Sequence, residues 1–199
     1  MADHASLIIL DRDGVLNETL PNPSEARPDS PLCVADVVVF PWVSSVLRSL
    51  TDRGYRLAIA TNQPAFAKGK VSLEALEQVH ARVLDEIARE GARISSSHMC
   101  LHRAEDGCEC RKPKPGLLLD ALARHPEQDG RHCWMVGDRA TDVLAGVAAG
   151  VQTALLGDET GRELSELSRL AVRPSFCGAD LRDFNRFLLA RGNGSAQNH

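Results

Sequence analysis

Residues Leu7–Asn17 read LIILDRDGVLN, a stretch that joins an unbroken apolar tetrapeptide to two carboxylates. A short apolar run that ends in a turn signal is typical of a strand buried on both faces of a parallel sheet. Asp11 and Asp13 then follow the carboxyl end of that strand, where ligands bind in open α/β sheets. Gly14 allows a sharp turn after them. The stretch therefore predicts a binding site, and a solvated turn is the plainer alternative.

The composition describes an ordinary globular protein. Of the 199 residues, 43% are hydrophobic and 25% are charged, which fits one domain over residues 1–191 and a disordered polar tail over residues 192–199. The net charge of −4 argues against a nucleic-acid partner. No apolar run reaches the length of a membrane span, and the N-terminus lacks a secretory signal. We therefore expect a cytoplasmic protein without membrane or nucleic-acid partners.

Strand patterns alternate with helix patterns along the chain. The expected strands are Leu7–Leu10, Tyr55–Ala60, Ser95–Leu101, Cys133–Val136 and Val151–Leu156. Helices are expected from Pro41, from Ser72 to about Glu90, and over Pro115–Arg124, Thr141–Ala149, Glu163–Leu170 and Leu181–Leu189. This alternation predicts a Rossmann-like, three-layer α/β/α fold with a central parallel sheet.

Polar residues follow two further strands in the same way. Thr61 comes directly after the second strand, and a threonine hydroxyl there can hold a phosphate oxygen, although Thr-Asn is also a common turn pair. Asp138 follows the fourth strand. Arg111, Lys112 and Lys114 place three cations in four residues before a helix, which suits an anionic group unless the loop is simply solvated. Two carboxylates close together also favour a bound divalent cation such as Mg²⁺.

These four segments, in this order, resemble motifs I to IV of the haloacid-dehalogenase-like phosphatases. The resemblance implies that Asp11 is the nucleophile and Asp13 the general acid/base, with Thr61 and Lys112 contacting the phosphoryl group. It also implies Mg²⁺ bound by Asp11, Asp138 and the backbone carbonyl of Asp13. We assign substrate binding to five neighbouring residues, namely Arg12, Asn62, Gln63, Arg111 and Arg139. Pro64 departs from the family pattern, since proline has no N–H to offer a ligand.

A cysteine cluster precedes the basic loop. Cys100, His102, Cys108 and Cys110 provide three thiolates and one imidazole, a set suited to tetrahedral, structural Zn²⁺. Free thiols or a disulfide are the alternative. The set resembles the zinc-containing branch of the same family, whose members act on small phosphate esters.

The resemblance extends from about Leu7 to Leu156 and leaves the substrate open. Within that branch the Arg-Lys-Pro-Lys-Pro-Gly segment favours a heptose bisphosphate phosphatase. The five-residue gap between His102 and Cys108 and the proline-rich loop over residues 18–35 favour a histidinol phosphate phosphatase. We expect the former, in a capless and monomeric protein, while a zinc-stabilised binding module without catalysis is the alternative from another class.

Overall fold

The computed structural model describes residues 6–22, 28–127, 129–158 and 160–194. Six parallel strands form one sheet in the order β3-β2-β1-β4-β5-β6. The strands are β1 (Leu7–Leu10), β2 (Arg56–Asn62), β3 (Ser96–Cys100), β4 (Trp134–Gly137), β5 (Gln152–Leu156) and β6 (Phe176–Gly178). Because β1 lies between β2 and β4, the strand order reverses at this point, and ligands bind at such reversals.

Helices cover both faces of the sheet, as the alternating pattern predicts. They are α1 (Val43–Asp52), α2 (Leu73–Ala88), α3 (Gly116–Ala123), α4 (Ala140–Ala148), α5 (Arg162–Arg169) and α6 (Leu181–Gly194). Ile8 and Leu10 pack into one core cluster with α1, α2 and α6, whereas Leu7 and Ile9 pack into a second cluster with α3 and α4. The period of two along β1 therefore divides its side chains between two cores, and the predicted three-layer fold is confirmed.

The local predictions agree with the structure except near the C-terminus. Ser72 caps α2, since its hydroxyl accepts a hydrogen bond from the N–H of Ala75 at 3.1 Å. Strand β6 was not predicted, because it has three residues at the edge of the sheet and carries no clear apolar pattern. Helix α6 continues to Gly194, into the segment expected to be a disordered tail. The rest of that tail, residues 195–199, lies outside the described residues.

The long segment between β1 and α1 folds back beside the carboxyl edge of the sheet. Leu20 and Asp29 form a bridge through two backbone hydrogen bonds of 2.8 and 2.9 Å. The Asp29 carboxylate lies 3.1 Å from the Nζ of Lys70, which belongs to the loop after β2. Two loops are thus tied together next to the expected site.

None of the helices in the described part of the chain has the length and apolar character that crossing a membrane requires.

Candidate active site

The carboxyl ends of the three central strands open into a cavity of about 280 Å³. Seven of the predicted site residues line it: Asp11, Asp13, Thr61, Asn62, Arg111, Lys112 and Arg139. Asp138 lines an adjoining cavity of about 150 Å³, and Arg139 lines both. Arg12 and Gln63 line neither cavity. The structure therefore brings together most of the residues predicted from the four sequence segments, at the edge of the sheet where they were expected.

Lys112 is the cation at the centre of the cluster, with 2% of its surface exposed. Its Nζ donates to the carbonyl of Ala60 at 2.7 Å and lies 3.0 Å from Asp11 and 2.6 Å from Asp142. Burial opposes the charge, but Asp11 and Asp142 outweigh it and raise the pKa of Lys112 above its usual value. The ammonium group is therefore positively charged and holds two carboxylates at the end of the sheet.

Asp11, directly after β1, is held by the adjacent backbone and by Lys112. One of its carboxylate oxygens accepts the backbone N–H of Arg12 at 2.7 Å, which fixes the orientation of the group. Burial raises the pKa of Asp11 to about 6, although Lys112 opposes the shift, and Asp142 and Asp13 add to it. The surroundings of Asp11 therefore disfavour its ionised form. An additional cation beside the carboxylate would stabilise that form.

The chemistry of the donor set fits a divalent cation. Asp11, Asp138 and Asp142 offer carboxylate oxygens that lie within 4.8 Å of one another. The Oδ1 of Asp138 is buried and has no hydrogen-bond donor among the described residues. Burial, followed by the charges of Asp11 and Asp142, raises the pKa of Asp138 well above its usual value. Oxygen ligands gathered in this way suit Mg²⁺, and Asp142, whose carboxylate lies 2.6 Å from Lys112, borders the two carboxylates predicted to bind the ion.

Gly14 is required next to this carboxylate cluster. Its φ of +89° lies in the left-handed region, and a Cβ added there would lie 2.3 Å from the Oδ2 of Asp138. Any other residue would therefore strain the backbone and also displace Asp138. The glycine of motif I serves the close approach of β1 and β4 as well as the turn.

Asp13 is held by several hydrogen-bond donors. Arg12 donates to its two carboxylate oxygens through Nε and Nη2, both at 3.1 Å, and Asn17 and Gln63 donate from 2.9 and 2.5 Å. Burial alone would raise the pKa of Asp13, but the charge of Arg12 and the hydrogen bonds from Arg12 and Asn17 outweigh it and lower the pKa. The carboxylate is consequently fixed in one orientation toward the cavity.

Arg12 and Gln63 lie behind the cavity, and their predicted roles in substrate binding stay predictions. Both residues are fully buried, at 0% exposure, and both direct their polar groups to Asp13. The long Arg12 side chain folds back on the adjacent carboxylate, because a buried guanidinium group needs a counter-ion. Their positions in the sequence gave no indication of this orientation, since residue spacing alone does not report side-chain direction.

The other three predicted substrate-binding residues lie at the cavity. Asn62 also connects two segments, since its amide donates to the carbonyl of Lys112 at 3.0 Å and accepts the backbone N–H of Lys112 at 3.1 Å. Arg111 donates to the carbonyl of His102 at 3.2 Å, and the Nε of Arg139 lies 3.9 Å from Asp138. Their roles in substrate binding stay predictions.

His80, on α2, is partly buried and lies close enough to Arg12 and Asp13 for their charges to act on its ring. Both of its ring nitrogens are buried and have no hydrogen-bond partner among the described residues. Burial, followed by the charge of Arg12, lowers the pKa of His80 to about 4, so its ring is neutral at pH 7. His80 lies four residues after Leu76, which is on the buried face of α2. This helical spacing is the sequence signal that could have predicted the burial of His80.

The four predicted zinc ligands converge in the loop between β3 and α3. Their sulfur and Nδ1 atoms are separated by 3.3–3.7 Å in five pairs among Cys100, His102, Cys108 and Cys110. A tetrahedral site with zinc–ligand bonds of about 2.0–2.3 Å has ligand separations of about 3.3–3.8 Å. All four cysteine and histidine side chains can therefore hold one zinc ion, immediately before Arg111 and Lys112.

Comparison with known proteins identifies relatives over most of the chain. A HAD-hydrolase-like family model matches residues 109–184. The D-glycero-beta-D-manno-heptose-1,7-bisphosphate 7-phosphatase of Pseudomonas putida is 36% identical over 160 residues, which cover 80% of this chain and 87% of the relative. The enzyme of the same name from Neisseria meningitidis serogroup A is 31% identical over 184 residues, covering 92% of this chain and 94% of the relative.

Solved structures of similar proteins superpose on this chain. The D,D-heptose 1,7-bisphosphate phosphatase of B. bronchiseptica, crystallised with magnesium and phosphate, superposes with a TM-score of 0.79 at 28% identity. The superposition covers 94% of this chain and 99% of that one. A HAD-like phosphatase from Mesorhizobium loti gives a TM-score of 0.67 at 29% identity, with coverages of 78% and 74%.

Proposed function

This chain belongs to the haloacid-dehalogenase-like phosphatases, and on that basis we propose that it removes the 7-phosphate of D-glycero-D-manno-heptose 1,7-bisphosphate. The observation that carries the proposal is the cluster of Asp11, Asp13, Lys112 and Asp138 at one cavity, in a chain whose relatives carry that activity in their names. Phosphate-ester hydrolysis needs a nucleophile, a proton carrier and positive charge around the phosphoryl group, and each is present here.

Asp11 is the nucleophile in this proposal. Its carboxylate oxygen attacks phosphorus in line with the leaving sugar oxygen and forms an aspartyl-phosphate, while the bond to the sugar breaks. Lys112, 3.0 Å away, offsets the negative charge of Asp11 and of the incoming phosphoryl group. Water then attacks phosphorus and releases inorganic phosphate, which restores the Asp11 carboxylate.

Asp13 carries the proton. It protonates the leaving oxygen of the sugar in the first step and takes a proton from the attacking water in the second. The groups that donate hydrogen bonds to Asp13 favour its ionised form, and the second step needs this form. The negative charge of a bound phosphoryl group opposes this effect and favours the protonated form that the first step needs.

Thr61 is oriented to donate to a phosphoryl oxygen. The Nε2 of Gln63 donates to Thr61 Oγ1 at 3.0 Å, so the hydroxyl group accepts from Gln63 and keeps its own proton for a ligand in the cavity. Gln63 thus orients both Thr61 and Asp13 from a buried position. This second role supports its reassignment from substrate contact to positioning residue.

Asp11, Asp138 and the backbone carbonyl of Asp13 would hold Mg²⁺, and Asp142 would anchor Lys112 beside it. Bound Mg²⁺ supplies positive charge to the nucleophile and to a phosphoryl oxygen. The zinc-binding cluster has a structural role in this proposal, because it has four protein ligands and therefore no open position for a reacting molecule.

Arg111 and Arg139 are the candidates for recognising the second phosphate. Both line the large cavity, and Arg139 also lines the smaller one beside Asp138. A guanidinium group can form two parallel hydrogen bonds to a phosphate, which gives directional recognition. Their positions support a bisphosphate substrate. A monomeric state and a cytoplasmic location accompany this proposal as predictions.

Histidinol phosphate is the second candidate substrate. The five residues between His102 and Cys108 and the prolines in the loop over residues 18–35 are the features that favour it. Purified protein with Mg²⁺ should be tested for phosphate release from heptose 1,7-bisphosphate, histidinol phosphate and monophosphorylated sugars. Preference for the bisphosphate supports the proposed substrate, preference for histidinol phosphate replaces it, and no release from any of them contradicts the proposed reaction.

A further inference from the structure

The loop that carries Asp138 is held by two carboxylates at successive backbone N–H groups. Arg139 N–H donates to the Oδ2 of Asp142 at 3.1 Å, and Ala140 N–H donates to the Oε2 of Glu163 at 2.7 Å. Asp142 lies in the first turn of α4, so it accepts from a residue only three positions away. Glu163 lies on α5, 23 residues further along the chain. N–H groups at the start of a helix have no helical acceptor, and charged acceptors satisfy them strongly.

Glu163 is itself firmly placed. It is 8% exposed, and its backbone N–H donates to Asp158 at 3.2 Å, while the N–H of Leu164 donates to the same carboxylate at 2.8 Å. One turn further, Leu167 packs against Ala140 in a small core cluster that α4 and α5 share with Val143 and Leu155. Its carboxylate therefore reaches Ala140 from a helix that is fixed by both capping and packing.

Asp138 has few contacts of its own that set its orientation. Among the described residues no donor reaches its buried Oδ1, and the nearest cation, the Nε of Arg139, lies 3.9 Å from Oδ2. On its other side the backbone of Gly14 approaches so closely that a Cβ would collide with it. The direction of this carboxylate consequently depends on the backbone that carries it, and that backbone is held by Asp142 and Glu163.

We propose that Glu163 is a positioning residue for Mg²⁺, because its hydrogen bond to Ala140 holds the loop from which Asp138 reaches the cation. This inference rests on the proposed function in taking Asp138 as a metal ligand. Partners that orient metal ligands typically change metal affinity by 10–100-fold when they are removed. Neither motif IV nor the pattern of the predicted helices indicates that α5 contributes to the site.

The test is the dissociation constant for MgCl₂, measured by titration calorimetry on the purified protein. Glu163→Leu removes the acceptor at similar side-chain size, and we expect the constant to rise about 10-fold. Glu163→Gln keeps an oxygen that can accept from Ala140, and we expect a change of less than about threefold, since only the strength of one hydrogen bond is reduced. Unchanged affinity in Glu163→Leu overturns the proposal.

Leu167→Ala is the matched control on the same helix. It leaves a cavity beneath α5 and lowers the melting temperature, but it keeps the hydrogen bond between Glu163 and Ala140. We expect the affinity for Mg²⁺ to stay at the wild-type value. An increase in the dissociation constant as large as that of Glu163→Leu would show a general loosening of α5 and would overturn the proposal.

If Glu163→Leu does not fold, Glu163→Asp replaces it. The shorter side chain keeps the charge but withdraws the carboxylate from Ala140, so weakened Mg²⁺ binding supports positioning, and wild-type binding contradicts it. Because the readout is metal binding, it does not depend on the substrate. Wild-type protein that binds Mg²⁺ but releases no phosphate from heptose bisphosphate would contradict the proposed function alone.

Discussion

Arg12 and Asp13 form a buried ionic fork, in which Nε and Nη2 of Arg12 each lie 3.1 Å from a carboxylate oxygen of Asp13. Arg12 has no exposed surface, and it does not line the cavity. In the proposed mechanism, Arg12 therefore positions the proton carrier Asp13 and does not contact the substrate. Such a fork needs the planar guanidinium group, which lysine does not provide.

Arg12→Lys should lower kcat with little change in KM. Lysine keeps the charge but loses the paired hydrogen bonds, so Asp13 is held less well while the substrate contacts remain. We expect kcat to fall about 10-fold or more, within the usual contribution of a positioned acid or base, and KM to change by less than about twofold. Steady-state kinetics of phosphate release measure both.

Arg111→Met is the comparison variant. Arg111 lines the cavity, so its removal should raise KM for the bisphosphate by at least about 10-fold, which corresponds to the loss of a charged hydrogen bond. A KM effect in Arg12→Lys as large as that in Arg111→Met would contradict the positioning role of Arg12.

Asp11→Asn should abolish turnover and leave the fold intact. The amide is a poor nucleophile, and loss of a nucleophile costs at least about three orders of magnitude in kcat. Burial raises the pKa of Asp11 to about 6, which means that its charge is unfavourable here. The melting temperature should therefore stay the same or increase. Asp52→Asn is the control, because it removes an equal charge from an exposed position on α1. Near-normal turnover in Asp11→Asn would eliminate the proposed mechanism.

Metal analysis should find about one zinc per chain, as expected for four protein ligands at one site. Cys108→Ser should lose this zinc, lower the melting temperature and reduce kcat, because the loop leads directly into Arg111 and Lys112. Cys177→Ser is the control, since Cys177 is exposed and lies outside the cluster. A fully active wild-type protein without zinc, or a Cys108→Ser variant with unchanged properties, would contradict the structural role.

His80 should make the protein less stable in acid. Its pKa is lowered to about 4 in the folded state, against the usual 6.5 of a histidine, so between these values the unfolded chain binds the proton more readily. Stability attributable to His80 is thus present above pH 6.5 and is lost as the pH falls toward 4. The charged groups that act on it are Arg12, which opposes protonation, and Asp13, which favours it.

His80→Leu cannot bind that proton. Urea unfolding at pH 7, 6 and 5 should show a smaller loss of stability in this variant than in the wild type, by at most about 1.4 kcal/mol per pH unit. His132→Gln is the control, because the side chain of His132 is 68% exposed. Parallel curves for wild type and His80→Leu would show that His80 titrates normally in the folded protein.

Positions of backbone elements could be predicted from the sequence because their signals are local. The apolar run of Leu7–Leu10 and the Ser72 cap each specify structure within a few residues, and both agree with the structure. The meeting of Asp11, Thr61 and Lys112 at one cavity could be predicted for a related reason, since parallel strands bring their carboxyl ends to one edge. Spacing between cysteines likewise predicted that the side chains of Cys100, His102, Cys108 and Cys110 lie together.

Directions of buried polar side chains could not be predicted. From the local sequence, the side chains of Arg12, Gln63 and His80 could each point to the cavity, to solvent or to a buried partner. Their actual direction depends on burial or on residues distant in the chain. Gln63 reaches Asp13 across 50 positions, and Glu163 reaches Ala140 across 23. Interactions of this kind arise only from the packed arrangement, so no motif or periodicity records them.

The central position of β1 in the sheet leaves one of its edges unpaired while the chain is being synthesised. Of the six strands of the sheet, β1 is synthesised first, and its four side chains are fully buried in the folded protein. One neighbour, β2, follows within the next fifty residues or so, but the other, β4, begins only at Trp134. A growing chain therefore carries an apolar strand with one unpaired edge until β4 has been synthesised, and such edges promote aggregation. Efficient expression should depend on protecting this strand until β4 has emerged.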